Sequence, residues 1–539
     1  MSLLIAACLP FLMACQDPSA PTTLQGAPIP PQLAKANFEG YPGQDAESYV
    51  IDMNVLSSGS FEGEVLYRFR ALEPLEHIIL DFEASKTWSA SFQSKDGKAL
   101  TVVAGDYSVM VPVGGTLKAG EVFEFRAKIG GTASGAGLFR ERNRYGDSMV
   151  YTDHFPARAR GWLPCEDSNT DRASFDLTLS IPAGWDAVGS GAWQELPSVE
   201  GSGKHGRSFH GKTASDLPPS LFAFTAGPFL RFEESGDPRL LAHFIYPQDK
   251  ERAATALQYH AEWMVIMEEV FGPYQYAKYS TIQTPTMWGG VEYPGNVWLA
   301  EKIFEYEGNG VSTLAHEFAH MWFGDAVGYA KWEDAWLSEG FASYFGPWLY
   351  AQVGGGPPLS TAMADNRSRW RRASRARKYP IRWLEYRKPI DFFQIVSANT
   401  YQKGAWVLHM LRQEIGDEAF FKGVSSYYQG HLGEAVVTQS LIDAMQKAAG
   451  QDLAWFFEQW LDRPDAPRLA AEDDGGTLVV RQTQDGEPYR FNLRISWTDS
   501  AGKIVDQVFR VDGAETRIDL GAGSRDWRLD PKTELLFLE

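Results

Sequence analysis

Two histidines four residues apart enclose a glutamate in the run His316-Glu317-Phe318-Ala319-His320, and this spacing constrains the chain more than any other feature. Four residues are about one helical turn, so both imidazoles project from one face of a helix and can reach a single ion. The apolar residues around the run predict that helix over about Ser312 to Phe323, with Ser312 as its N-cap. Zinc suits imidazole and carboxylate ligands, and a catalytic zinc keeps one position open for water. Glu317, the residue after the first histidine, is placed to take a proton from that water as general base. A third ligand has to come from farther along the chain. A pattern with glycine and a further histidine at short fixed spacing is excluded, because Phe323 and Ala326 hold those positions. Glu339 lies nineteen positions after His320, within Trp336-Leu337-Ser338-Glu339-Gly340. Gly324, Asp325 and Gly328 permit a turn, so a second helix from about Glu333 to Tyr350 can return antiparallel and bring Glu339 to the histidines. A carboxylate among Trp336, Leu337, Phe341 and Tyr344 is costly without a partner, which favours a ligand over a solvated helix position. Pro347 is expected to kink or stop this second helix.

The rest of the 539 residues divides by texture. Residues 1–15 read as a signal or lipoprotein-like segment. Leu3 to Met13 is apolar but too short to span a bilayer, and Leu12-Met13-Ala14-Cys15 is similar to a bacterial lipobox. That predicts export across the inner membrane to the periplasm, or lipid anchoring in the cell envelope through a membrane tether on Cys15. Residues 16–36, with five prolines, form a linker. Residues 37–230 alternate with period two, as in Ile51, Met53, Val55 and Val65, Tyr67, Phe69, and predict an N-terminal β-domain. Residues 231–463 turn helical, with further helices over Ala253–Val270, Ala405–Ile415 and Leu441–Leu461. Beyond Arg463-Pro464, residues 464–539 alternate again at Phe491, Leu493, Ile495 and Trp497, predicting a small C-terminal β-domain. Fold class is therefore α+β multidomain.

A formal charge of −19 repels phosphate backbones and argues against nucleic acid as a partner. The basic run Arg367, Arg369, Arg371, Arg372, Arg375, Arg377 and Lys378 reads as a solvated helix face; the sharper reading has part of it line a cleft and attract a peptide carboxylate. Gly130-Gly131 to Gly135 lacks the Lys-Ser or Lys-Thr of a phosphate loop and reads as a turn. Cys165 reads as a small buried hydrophobe, with no disulfide expected.

The metal run and its distant glutamate, with Gly289-Gly290-Val291-Glu292-Tyr293-Pro294, Tyr401-Gln402-Lys403-Gly404-Ala405 and Phe456-Phe457-Glu458-Gln459-Trp460-Leu461, make residues 40 to 463 similar to the aminopeptidase N family of gluzincins. The resemblance implies a thermolysin-like, mostly helical catalytic domain. It implies one Zn2+ per chain on His316, His320 and Glu339, with Glu317 and Tyr401 catalytic. Substrates are then peptides with a free N-terminus, whose ammonium pairs with Glu292 beside Gly289 and Gly290. Tyr401 stabilises charge on the scissile carbonyl oxygen. Val291 and Tyr293 replace the family's usual Met and Asn. Phe155 stands at the family's second amine-binding position, where Asp153 is the candidate substitute. Other readings are a zinc hydrolase of another kind, such as one opening an epoxide, and a scaffold without catalysis.

Overall fold

In the computed structural model, residues 37–539 are described apart from 84–86, 134, 198–205, 234–238, 240–241, 306–309, 374–378 and 384–396. The signal-like segment with Cys15 and the proline-rich linker therefore lie outside the described residues. Among the described residues no helix is long and apolar enough to cross a membrane.

Alternation in Gln44–Val55 and Ser60–Ala71 puts Tyr49, Ile51 and Met53 on one buried face, together with Val65, Tyr67 and Phe69. These two strands centre a seven-stranded sheet ordered Ala192–Glu195, Arg207–Lys212, Ser174–Ile181, Gln44–Val55, Ser60–Ala71, Val122–Thr132, Trp88–Ser94. One pairing is parallel, with Ile51 opposite Leu177. Cys165 is wholly buried in this domain's core, as expected, and Gly130-Gly131 ends the Val122–Thr132 strand. A four-stranded sheet beside it includes Ser148–Asp153, whose last residue delivers the segment from Asp153 to Phe155 toward the next domain.

The chain then builds a five-stranded sheet, ordered Leu230–Phe232, His243–Ile245, Ser280–Thr284, Asn296–Ala300, Gly290–Tyr293. This sheet is not legible in the helical texture after residue 230, because its strands are short and buried on both sides, which erases alternation. Its edge strand carries Glu292, opposite Val297.

The helices used below are α1 (Lys250–Ala256), α2 (His260–Phe271), α3 (Val311–His320), α4 (Trp336–Gln352), α5 (Leu359–Arg372), α6 (Gly404–Ile415), α7 (Asp417–Gly430), α8 (Thr438–Ala449) and α9 (Ala454–Leu461). Four expectations change. The apolar run over Ala253–Val270 is two helices, and the His260 ring bonds at 3.2 Å to the Leu257 carbonyl in the break. Leu441–Leu461 also divides, because Gly450 takes a left-handed conformation that terminates α8. Ser312 lies inside α3; Gly310 closes the helix start, with the Leu314 amide bonding its carbonyl at 2.9 Å. Pro347 does not stop α4, which continues to Gln352 with Phe345, Trp348 and Leu349 buried around it.

The basic run is a further correction. Arg369 and Arg372 face solvent, but Arg367 pairs with Asp530 at 2.6 Å and donates to the Leu535 carbonyl at 2.9 Å. Arg371 donates to the Phe537 carbonyl at 2.7 Å. These two arginines fasten the C-terminal segment to α5; Arg375, Arg377 and Lys378 lie outside the described residues. The C-terminal region itself is two three-stranded sheets, with Phe491, Leu493, Ile495 and Trp497 pointing into their core.

Candidate active site

Leu314, Ala315, Phe318 and Ala319 bury one side of α3 completely and leave His316, Glu317 and His320 to the other. Ser338 lies against His320 while Gly346 lies against His316, so α4 runs antiparallel to α3. Glycine makes that approach possible: a Cβ on Gly346 would stand 2.8 Å from the His316 backbone nitrogen. A second close crossing joins α4 to α6, where a Cβ on Gly404 would stand 2.9 Å from the Gly340 Cα. These contacts set Glu339, the neighbour of Gly340, between the histidines and Tyr401.

Three donor atoms meet there. His316 Nε2 lies 3.1 Å from His320 Nε2, and Glu339 Oε2 lies 3.3 and 3.4 Å from the two nitrogens. Ligands about 2.0–2.1 Å from a tetrahedral ion stand about 3.3 Å apart, so the triangle has the size a zinc ion requires. The outward ring nitrogen of His320 bonds the Phe323 carbonyl at 3.1 Å, with Ser338 Oγ at 3.0 Å. A carbonyl only accepts, so Nδ1 carries the proton and the Nε2 lone pair points inward. The His316 ring is likewise anchored to the backbone of Ala342. Glu339 spends its other oxygen on the Tyr401 hydroxyl, which donates to it at 2.6 Å. These residues fit a zinc ion in donor type, spacing and orientation.

Charge at this point is unbalanced in the same sense. Burial works against ionising Glu339, yet the two histidines beside it hold its carboxyl well below the usual range. Burial depresses His316, while at His320 the nearby Glu292, Glu339 and Glu317 overcome burial and raise the ring well above its ordinary value. The surroundings favour positive charge where the donor atoms converge.

Glu317 is buried, and burial pushes its carboxyl well above the ordinary value. It lies directly over the edge strand: a Cβ on Gly290 would stand 2.3 Å from Glu317 Oε1, so only glycine leaves that space. Gly289 has no such constraint, its nearest contact being Thr313 at 3.9 Å. Glu292, two residues on from Gly290, has its carboxyl raised by burial and places Oε1 4.0 Å from His320 Nδ1. Tyr401 stands in a π-helical turn, Asn399–Lys403, that opens into α6. Its ring stacks on His316 at 6.2 Å, and burial keeps the phenol protonated. Glu292, Glu317, His316, His320, Glu339, Tyr401, Gly289 and Gly290 all line one cavity of about 270 Å3.

Asp153 does not line it. Its carboxylate accepts from Trp288 Nε1 at 3.0 Å and pairs with Arg158 at 2.7 Å, behind the wall. Phe155, by contrast, is a wall residue, as is Trp288. Trp288, Arg158 and Ser338 have roles here that sequence reading does not assign. An aromatic directly before Gly289-Gly290 was the available signal for Trp288; Arg158 and Ser338 offer none without the fold.

Two family models match the chain, the peptidase family M1 domain over residues 255–460 and the peptidase M1 N-terminal domain over residues 45–211. Aminopeptidase N of Streptomyces lividans is 25% identical, over 88% of this chain and 59% of its own length. Glutamyl aminopeptidase of Rattus norvegicus is 25% identical over 67% of this chain and 40% of its own length. Tricorn protease-interacting factor F2 of Thermoplasma volcanium is 27% identical over 67% and 46% respectively. The chain thus spans about three fifths or less of the length of these relatives.

Proposed function

The chain belongs to peptidase family M1, and from that premise we propose that it is a zinc-dependent aminopeptidase that releases N-terminal residues from peptides. The observation that carries the proposal is the triangle of His316, His320 and Glu339 donor atoms on the cavity shared with Glu317, Glu292 and Tyr401. Bound there, zinc supplies Lewis acidity, lowering the pKa of a water and drawing charge from a carbonyl oxygen. Glu317 would take the proton of an attacking water, on a carboxyl whose proton affinity burial raises, and would pass it to the leaving amine. The Tyr401 hydroxyl turns from Glu339 to the carbonyl oxygen as negative charge builds there, a contact that grows in the transition state. Glu292 pairs with the substrate's α-ammonium and fixes which peptide bond lies over the triangle. No observation favours epoxide opening or a scaffold over this reading.

Aminoacyl 4-nitroanilides and their N-acetylated forms test it. The proposal expects turnover of the free-amine compounds only; equal turnover of both forms overturns amine recognition. Export is a further part of the proposal, supported by the apolar segment Leu3–Met13 and Cys15. Cell fractionation with labelled fatty acid tests it: cytoplasmic, unlabelled protein would refute it.

A further inference from the structure

The wall around the proposed amine subsite is uneven. Glu339 is committed to the two histidines and Tyr401, and Glu317 is packed over Gly290. Among the described residues, Glu292 is the remaining carboxylate on the cavity, and Phe155 and Trp288 line the same space as aromatic surface. Their rings meet edge to face, 6.1 Å apart at 88°. Three polar contacts hold this corner from behind. Trp288 donates its indole N–H to Asp153, Asp153 pairs with Arg158, and Arg158 Nε donates to the Phe155 carbonyl at 2.7 Å. Asp153 is thus a positioning residue that fixes the aromatic corner from outside the cavity.

We propose that the amine subsite is part carboxylate and part aromatic, and that it accepts secondary ammonium N-termini, those of N-methylated residues and of proline, alongside primary ones. This rests on the aminopeptidase reading and names its substrate class. A primary ammonium carries three N–H donors. Where it faces ring surface, attraction comes from the ring quadrupole and demands no donor; a carbon bearing part of the positive charge serves as well as a hydrogen. In a subsite walled by oxygen acceptors, replacing one N–H by carbon strands a buried acceptor at about 1–3 kcal/mol, roughly five- to more than a hundredfold. With Phe155 and Trp288 as the wall, that penalty does not arise.

The test compares kcat/KM of the zinc-loaded full chain for the 4-nitroanilides of alanine, N-methylalanine and proline. The two secondary amines are expected within about tenfold of alanine, the scale of a single net hydrogen bond. Phe155→Gln supplies an oxygen acceptor and is expected to raise the preference for alanine over N-methylalanine by about tenfold or more. That ratio does not depend on how much of the variant folds. As a readout apart from turnover, calorimetry on Glu317→Gln should give dissociation constants for alaninamide and N-methylalaninamide within about tenfold. If alanine is cleaved while both secondary amines are rejected by more than about a hundredfold, or the Phe155→Gln ratio does not move, this inference is wrong and the aminopeptidase reading stands. If no free-amine substrate is cleaved, the aminopeptidase reading itself falls.

Discussion

Glu317 and His154 are both buried titratable groups, yet the fold uses them oppositely. Glu317 keeps a carboxyl over the cavity in a place where its proton affinity is high. Glu317→Gln preserves its shape and removes the base, so zinc content is expected to stay at one per chain while kcat falls about 10^2–10^4-fold. Unchanged turnover removes Glu317 from the mechanism. His154 is neutral by construction: its Nδ1–H meets the Pro219 carbonyl at 3.0 Å, and its Nε2 accepts from Trp162 at 2.8 Å. Burial pushes its pKa down to about 3. The folded value lies below the unfolded one, so the stability it contributes is present above about pH 6.5 and lost as pH falls toward 3. Denaturation of the metal-free protein should lose about 1.4 kcal/mol per pH unit over that window from this group. His154→Gln should flatten that part of the slope; an identical slope refutes the assignment. The metal run was legible because its spacing is local. The place of Asp153 behind the cavity wall was not legible, because the Trp288 that holds its carboxylate lies 135 residues away along the chain.

At the scale of elements, helix crossings without side chains decide the site. The approach of α4 to α6 at Gly340 and Gly404 brings Glu339 within 2.6 Å of the Tyr401 hydroxyl. Gly404→Ala would force a Cβ against backbone, an overpacking that costs about 1–3 kcal/mol. Its folded fraction is expected to bind zinc but turn over more slowly, since Tyr401 moves with α6. A variant with wild-type melting temperature and kcat would contradict that account of the crossing. Both glycines sit inside motifs visible in the sequence, but nothing local says that they face each other. Helix ends were equally opaque: His260 and Gly450 interrupt apolar runs through a side-chain contact and a left-handed turn.

Across the whole molecule, the β-domains at either end follow from alternation that any reader of the sequence can see. The joins between regions do not. Arg367 lies between the rings of Trp406 and Phe537, at 5.6 and 5.0 Å, and pairs with an Asp530 carboxylate that is almost fully buried. Arg367→Ala leaves that carboxylate without its cation and is expected to destabilise the chain by about 3 kcal/mol or more, read by chemical denaturation. A shift under about 0.5 kcal/mol would show that the clamp does not hold the C-terminal segment. From sequence, the arginine run looked like solvent-facing charge because its acceptors, at Asp530, Leu535 and Phe537, follow more than 160 residues later.

The measurement that bears most directly on the account is zinc titration of the chelator-stripped protein, following hydrolysis of a free-amine aminoacyl 4-nitroanilide. Activity should be absent without metal, rise linearly and saturate at one equivalent of zinc, with no such rise for a variant carrying His320→Ala. Hydrolysis that persists after stripping, or saturates equally well without His320, would contradict a catalytic ion held by His316, His320 and Glu339.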